Sequence, residues 1–149
     1  MKQKLVPIVL TISLLANVVL VYALVHQREQ EESLHKVSAV YELSVAVQCL
    51  ERYQESRRDS DYMEAVACFR GACDQVESLR DVDYSVTTEP FQSMYTLALG
   101  YPDTVKENLE EVVVVLSQIN SPDVLTDRDS MEQWKAYTKE LFEQSEDHP

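Results

Sequence analysis

The chain has 149 residues with 13 basic and 26 acidic side chains, a net charge of −13 at neutral pH. Beyond a hydrophobic N-terminal segment that length leaves one core's worth of chain, and 2 glycines with 5 prolines argue against a turn-rich β architecture. The acidity argues against nucleic acid as a partner, because no cluster of Lys and Arg interleaved with aromatic residues offsets it.

In chain order, residues 5–25 carry no charged side chain. Twenty-one residues in a helix span roughly 31 Å, close to the hydrocarbon thickness of a bilayer. The segment predicts a retained signal-anchor, a single-pass transmembrane helix over residues 1–25. The alternative is a secretory signal cleaved near Ala23, but the apolar run continues through Leu24 and Val25 beyond that point. Lys2 and Lys4 precede the span, and Arg28 and Lys36 follow it, so the count that sets orientation is tied. The short basic N-terminus resembles a bacterial signal-anchor, which places the acidic domain outside the cytoplasm.

Residues 26–33 form a charged connector, 34–145 an acidic helical-bundle domain and 146–149 a polar tail. The fold class expected is all-α, with the transmembrane helix followed by an antiparallel bundle of four to five helices. In the first bundle helix, Val40, Leu43, Val47 and Leu50, extended by Val37, predict a buried stripe. Leu34, Tyr41, Val45 and Cys49 lie on another face, which a central position or a second copy of the chain would cover. The connector holds neither Pro nor Gly, so the membrane helix can run on into this one. Asp61 with Glu64 predicts a capping box opening the second helix, whose stripe is Tyr62, Val66, Phe69, Cys73 and Val76. The short connection makes the pair an antiparallel hairpin. Gly71 falls opposite the stripe, where either a neighbour packs closely or the glycine is simply tolerated, and tolerance is the reading taken.

Residues 81–90 read as the longest irregular connection. Pro90 then opens a short helix through Phe91, Met94, Tyr95, Ala98 and Leu99 that Gly100 ends. The four valines 112–115 suggest a strand in isolation, but Val105, Leu109, Val112, Leu116 and Ile119 keep helical spacing across one longer helix. Thr126 or Asp127 caps a last helix carrying Met131, Trp134, Tyr137, Thr138 and Leu141.

Chemistry is sparse. His26, His35 and His148 sit in three separate segments, and no histidine pair or Cys-x-x-Cys spacing offers a metal or nucleophilic site. Asp81-Val82-Asp83-Tyr84-Ser85 begins like a calcium loop, but Val86 and Gln92 occupy the positions that need Gly and Glu. No catalytic, cofactor-binding or metal residue is assigned, and no cofactor is expected. Cys49 and Cys68 fall at one level of the hairpin, where a disulfide would add about 3 kcal/mol. Their helical angles favour free thiols, with Cys73 in the core. Asp61-Tyr62-x-Glu64-Ala65-x-x-x-Phe69-x-x-Ala72 resembles the second half of a tetratricopeptide repeat. The preceding helix lacks the matching register and no copy follows 34 residues on, so a superhelical groove is not implied.

The function expected from these features is a non-enzymatic, membrane-anchored bundle acting in protein interaction or assembly at the cell envelope. Its partners are the membrane through residues 5–25 and a protein or second copy. The alternative is an extracytoplasmic sensory or small-ligand-binding bundle, for which the sequence singles out no ligand.

Overall fold

The structure is a computed structural model that describes residues 2–80 and 82–147, with the side chains of 13–80 and 82–145. It is all-helical, with no strand among the described residues. Helix α1 spans Lys2–Ser56, α2 Asp59–Glu77, α3 Glu89–Gly100, α4 Pro102–Glu107, α5 Leu109–Ser117 and α6 Arg128–Asp147. A π-helical turn at Tyr84–Thr88 precedes α3, and a 3-10 turn at Pro122–Thr126 precedes α6. Packing divides the chain into two units, Met1–Ser33 and Leu34–Pro149.

In the first unit, residues 13–31 are all exposed, including Leu14, Leu15, Val18, Val19, Leu20, Tyr22 and Leu24. Among the described residues no helix is long and apolar enough to cross a membrane. The side chains of residues 5–12, the first part of the expected anchor, lie outside the described ones. The uncharged run from Ser13 to Val25 alone measures about 20 Å, short of the roughly 30 Å hydrocarbon layer.

The second unit is a helical bundle around a core running from Ala39 to Leu141. Its first part is the antiparallel hairpin of α1 and α2. His35 meets Gln75, Glu42 lies over Gly71, Arg52 pairs with Glu64 and Tyr53 packs on Tyr62, so the two helices run past each other in opposite directions. The seam is built from small residues. Ala39, Ala46 and Cys49 of α1 and Ala65, Ala72 and Cys73 of α2 are all fully buried, with Leu43 and Leu50 between them. Of the stripe expected for α1, Leu43 and Leu50 are buried as predicted, whereas Val40 and Val47 are half-buried at its edge and Val37 is 51% exposed. Alanine has little hydrophobic weight in a periodicity count, yet it lets two helix axes approach closely.

The turn between the helices is two residues long. Arg57 has φ 55°, the left-handed conformation, and its N–H donates to the Tyr53 carbonyl at 2.9 Å, closing α1. A Cβ in that conformation costs about 1 kcal/mol, which glycine avoids. Arg57→Gly should stabilise the domain by about 0.5–1 kcal/mol, the lower figure allowing for the lost stacking of its guanidinium on Tyr53. Thermal unfolding of the pair of proteins checks this.

The capping box does not form. Helix α2 is entered from Arg58, in extended conformation and three residues before the expected cap at Asp61, with no side-chain cap, and Glu64 is engaged by Arg52. Asp61 is buried and instead accepts the Ser56 hydroxyl at 2.5 Å and the Arg58 guanidinium at 3.2 Å, clasping the turn from inside. The Ser56 hydrogen bond, aided by the Arg58 charge, holds the Asp61 carboxyl below the usual carboxylate range. Between the folded and unfolded values the unfolded chain binds the extra proton, so this contribution is present above the unfolded pKa of about 3.9 and is lost as pH falls through the folded value. Asp61→Asn should flatten the acid limb of a melting-temperature profile against pH.

Past α2, the segment expected to be irregular contains the π-helical turn, which runs directly into α3. Asp83 opens it by accepting the backbone N–H and hydroxyl of Ser85 at 3.0 and 2.8 Å. Asp81 lies outside the described residues. Helix α3 packs on both α2 and α6. It buries Phe91, Met94, Leu97 and Ala98, while Leu99, expected in its stripe, is 52% exposed. The single helix expected over the valine segment breaks at Asn108. The Asn108 side-chain amide donates to the Thr104 carbonyl and to Gln144, holding the backbone out of helical geometry between α4 and α5. The five residues of its stripe are nonetheless all buried, and the valines are helical. Asp127 caps α6, accepting the backbone N–H of Ser130 at 3.1 Å and also its hydroxyl.

Candidate functional site on the outer face of the first helix

With one side of α1 pressed against α2, the opposite side is set by helical geometry alone. Leu34, Val37, Tyr41, Ser44 and Gln48 follow one another at spacings of three and four and are all exposed. The three apolar members are 67%, 51% and 65% exposed, and half-buried Val40, Val45 and Val47 flank them. From Val37 to Gln48 the sole charged residue is Glu42. Its side chain turns toward α2, with its carboxylate carbon 3.1 Å from where a Cβ on Gly71 would stand. Gly71 thus makes room for this side chain, and Glu42 is kept off the outer face. In a chain of net charge −13 this face is an uncharged window.

The three-four spacing is that of the a and d positions of a coiled coil, where a pair of helices buries one such stripe from each. The face is self-complementary in parallel alignment, where Leu34, Val37 and Tyr41 each meet the same residue of a second copy. An antiparallel alignment centred on Tyr41 opposes Leu34 to the amide of Gln48.

Beside the stripe a groove of about 510 Å³ is walled by Tyr41, Val45, Gln48, Cys49, Arg52 and Glu64, among others. Arg52 bridges its two helices, donating to Glu64 at 2.6 Å and to the Cys49 sulfur at 3.0 Å. Cys49 is buried and Cys68 half-buried on the facing helix, and Cys49, Cys68 and Cys73 are all free thiols. Burial pushes all three thiols up, Cys68 to about 11 and Cys73 to about 12, and at Cys49 it outweighs the Arg52 hydrogen bond. The thiols are protonated at neutral pH, which suppresses nucleophilic and exchange chemistry. The pairing of Arg52 with Glu64 was not read from the sequence. Its signal is the antiparallel register, which brings those two positions level once the turn is placed at residues 57–58.

The histidines stay apart in the structure. His35 bonds the Gln75 side chain at 2.8 Å, His26 lies 3.8 Å from Glu29 in the first unit, and His148 lies outside the described residues. Among the described residues no group of three or more His, Cys, Asp or Glu side chains could hold a metal ion. No protein-family model, curated protein or solved structure matches the chain.

Proposed function

We propose that this protein is a single-pass, membrane-anchored helical bundle that assembles at the cell envelope through the outer face of α1, with a second copy of itself as the partner. The observation that carries the reading is the exposed, uncharged stripe of Leu34, Val37 and Tyr41 on the bundle. An uncharged apolar stripe of this kind supports an interaction site, and it is a face where two chains of net charge −13 meet with little local repulsion. Anchoring rests on the sequence: residues 5–25 are uncharged over a length matching a bilayer, with Lys2 and Lys4 before them. Two copies anchored through the same N-terminal segment enter one membrane with the same polarity, which favours parallel alignment, the one that matches apolar with apolar.

Fractionation tests the anchor and a C-terminal reporter tests its direction. The chain should stay with membranes after alkaline carbonate extraction, and a C-terminal alkaline phosphatase fusion should be active. Release into the soluble fraction would remove the anchor, and an inactive fusion would place the bundle in the cytoplasm.

A further inference from the structure

The seam between α1 and α2 holds two thiols at one level. Arg52 of α1 and Glu64 of α2 meet across it at 2.6 Å, and Glu42 of α1 lies over Gly71 of α2. Cys49 stands three residues before Arg52 and Cys68 four residues after Glu64, so each is one turn from the ion pair on its own helix. Because the helices are antiparallel, the two steps run the same way along the seam. They bring both cysteines between the ion pair and the Glu42 contact. Cys49 is 0% exposed, with its sulfur 3.0 Å from the Arg52 guanidinium, while Cys68 is half-buried. Burial pushes the Cys68 thiol up, and the Cys49 thiol is the next contributor, ahead of the Glu42 and Glu64 carboxylates.

Helical angles counted from the valines of α1 turn Cys49 away from α2, whereas the alanine seam turns it inward. With Ala39 and Ala46 on one side and Ala65 and Ala72 on the other, all at 0% exposure, the seam is lined by small residues. Such a seam lets helix axes approach to the close end of the usual range of roughly 8–10 Å. With Cα atoms about 2.3 Å from each axis, facing positions then fall within the roughly 4.4–6.8 Å that a disulfide spans between Cα atoms. Cys73 has no such access to either thiol. It follows Cys68 by five residues on the same helix, about 7.5 Å along the axis and beyond that span. From Cys49 it is further still, since Gly71 already lies level with Glu42, about 10 Å along α1 from Cys49.

We propose that in an oxidising environment Cys49 and Cys68 close into an intramolecular disulfide across the hairpin, with Cys73 left as a free core thiol. The oxidant is a donor disulfide, that of oxidised glutathione or of a thiol oxidoreductase. The Cys68 thiolate, its proton lost to solvent, attacks one donor sulfur, forms a mixed disulfide and expels the other donor sulfur as a thiolate. The Cys49 thiolate then attacks the Cys68 sulfur and expels the second donor thiolate. The chain gives up two electrons and two protons, and the donor takes up both in becoming two thiols. While the hairpin is forming, thiols near their ordinary pKa of about 8.5 carry out these steps; once α1 and α2 are packed, burial slows exchange in either direction. The bond ties the helix that carries Leu34, Val37 and Tyr41 to α2, and it does not depend on that stripe joining two copies.

Trypsin separates the three cysteines, releasing 37–52 with Cys49, 59–70 with Cys68 and 71–80 with Cys73. The test reduces the full chain in detergent and equilibrates it in glutathione, with the reduced form in excess and a disulfide isomerase present. The chain is then unfolded and its remaining thiols are blocked with iodoacetamide. The expected product has the mass of a single chain and carries one alkyl group, on Cys73, where the reduced control carries three. Its tryptic digest should contain 37–52 linked to 59–70. Cys68→Ala should carry two alkyl groups and no link. A native chain without the link between 37–52 and 59–70, a link through Cys73 in either protein, or a link that joins two chains would each overturn the proposal.

Discussion

Phe91→Ala should lower the stability of the bundle by about 3–5 kcal/mol, a large share of the roughly 5–15 kcal/mol that holds a domain folded. Phe91 is 1% exposed, and its ring meets that of Trp134 at 4.3 Å with an interplanar angle of 79°, the edge-to-face geometry aromatic pairs prefer. It sits at the start of α3, the helix that packs on both α2 and α6, so the cavity opens where two halves of the core join. The neighbouring indole is too rigid to fill the space. Far-UV circular dichroism should show a melting temperature lower by on the order of 15 °C. A change of only a degree or two would mean that α3 is not the centre of the packing.

A finer probe is Tyr62→Phe, which removes one oxygen and should cost about 1–2 kcal/mol. The last carbonyls of a helix have no partner within it. At the end of α3 the Leu97 carbonyl is met by the Tyr101 N–H at 2.8 Å, and the Ala98 carbonyl by the Tyr62 hydroxyl at 2.9 Å. Tyr62 therefore caps α3 from α2, in a buried setting where water cannot substitute. The phenylalanine ring keeps its packing on Tyr53 and beneath the Lys106 ammonium, so the difference isolates the hydrogen bond. Burial raises the Tyr62 hydroxyl's pKa, which keeps it a neutral donor across the physiological range. Denaturant unfolding of the two proteins measures the difference, and equal stability would show that the Ala98 carbonyl is satisfied without Tyr62.

The helical fold was legible because its signals are redundant over many residues. Val105, Leu109, Val112, Leu116 and Ile119 are all buried, and period outweighed the β propensity of the valines between them. Helix α3 ends at Gly100 and Asp127 caps α6, where they were expected, although Gly100 closes its helix without taking up the left-handed conformation. The misreadings occurred where a single side chain decides the local backbone. Asp61 could cap a helix or clasp a turn from within, and which it does depends on Ser56 and Arg58 across the hairpin. Asn108 breaks a periodic helix through bonds to Thr104 and Gln144, the second 36 residues away.

The candidate site was half legible for a related reason. The sequence marks α1 as apolar on more than one face, but assigning the inner face needs to know where α2 approaches. The alanines answer that question: Ala39, Ala46, Ala65 and Ala72 form the close seam, leaving Leu34, Val37 and Tyr41 outside.

The central claim is that the outer face of α1 joins two copies of the chain, and sedimentation equilibrium of the full chain in density-matched detergent tests it most directly. The account predicts a dimer mass for the native chain and a monomer for the triple variant Leu34→Glu, Val37→Glu, Tyr41→Glu, with unchanged helical content since all three side chains are exposed. A native chain that sediments as a monomer, or a triple variant that remains a dimer, would contradict it.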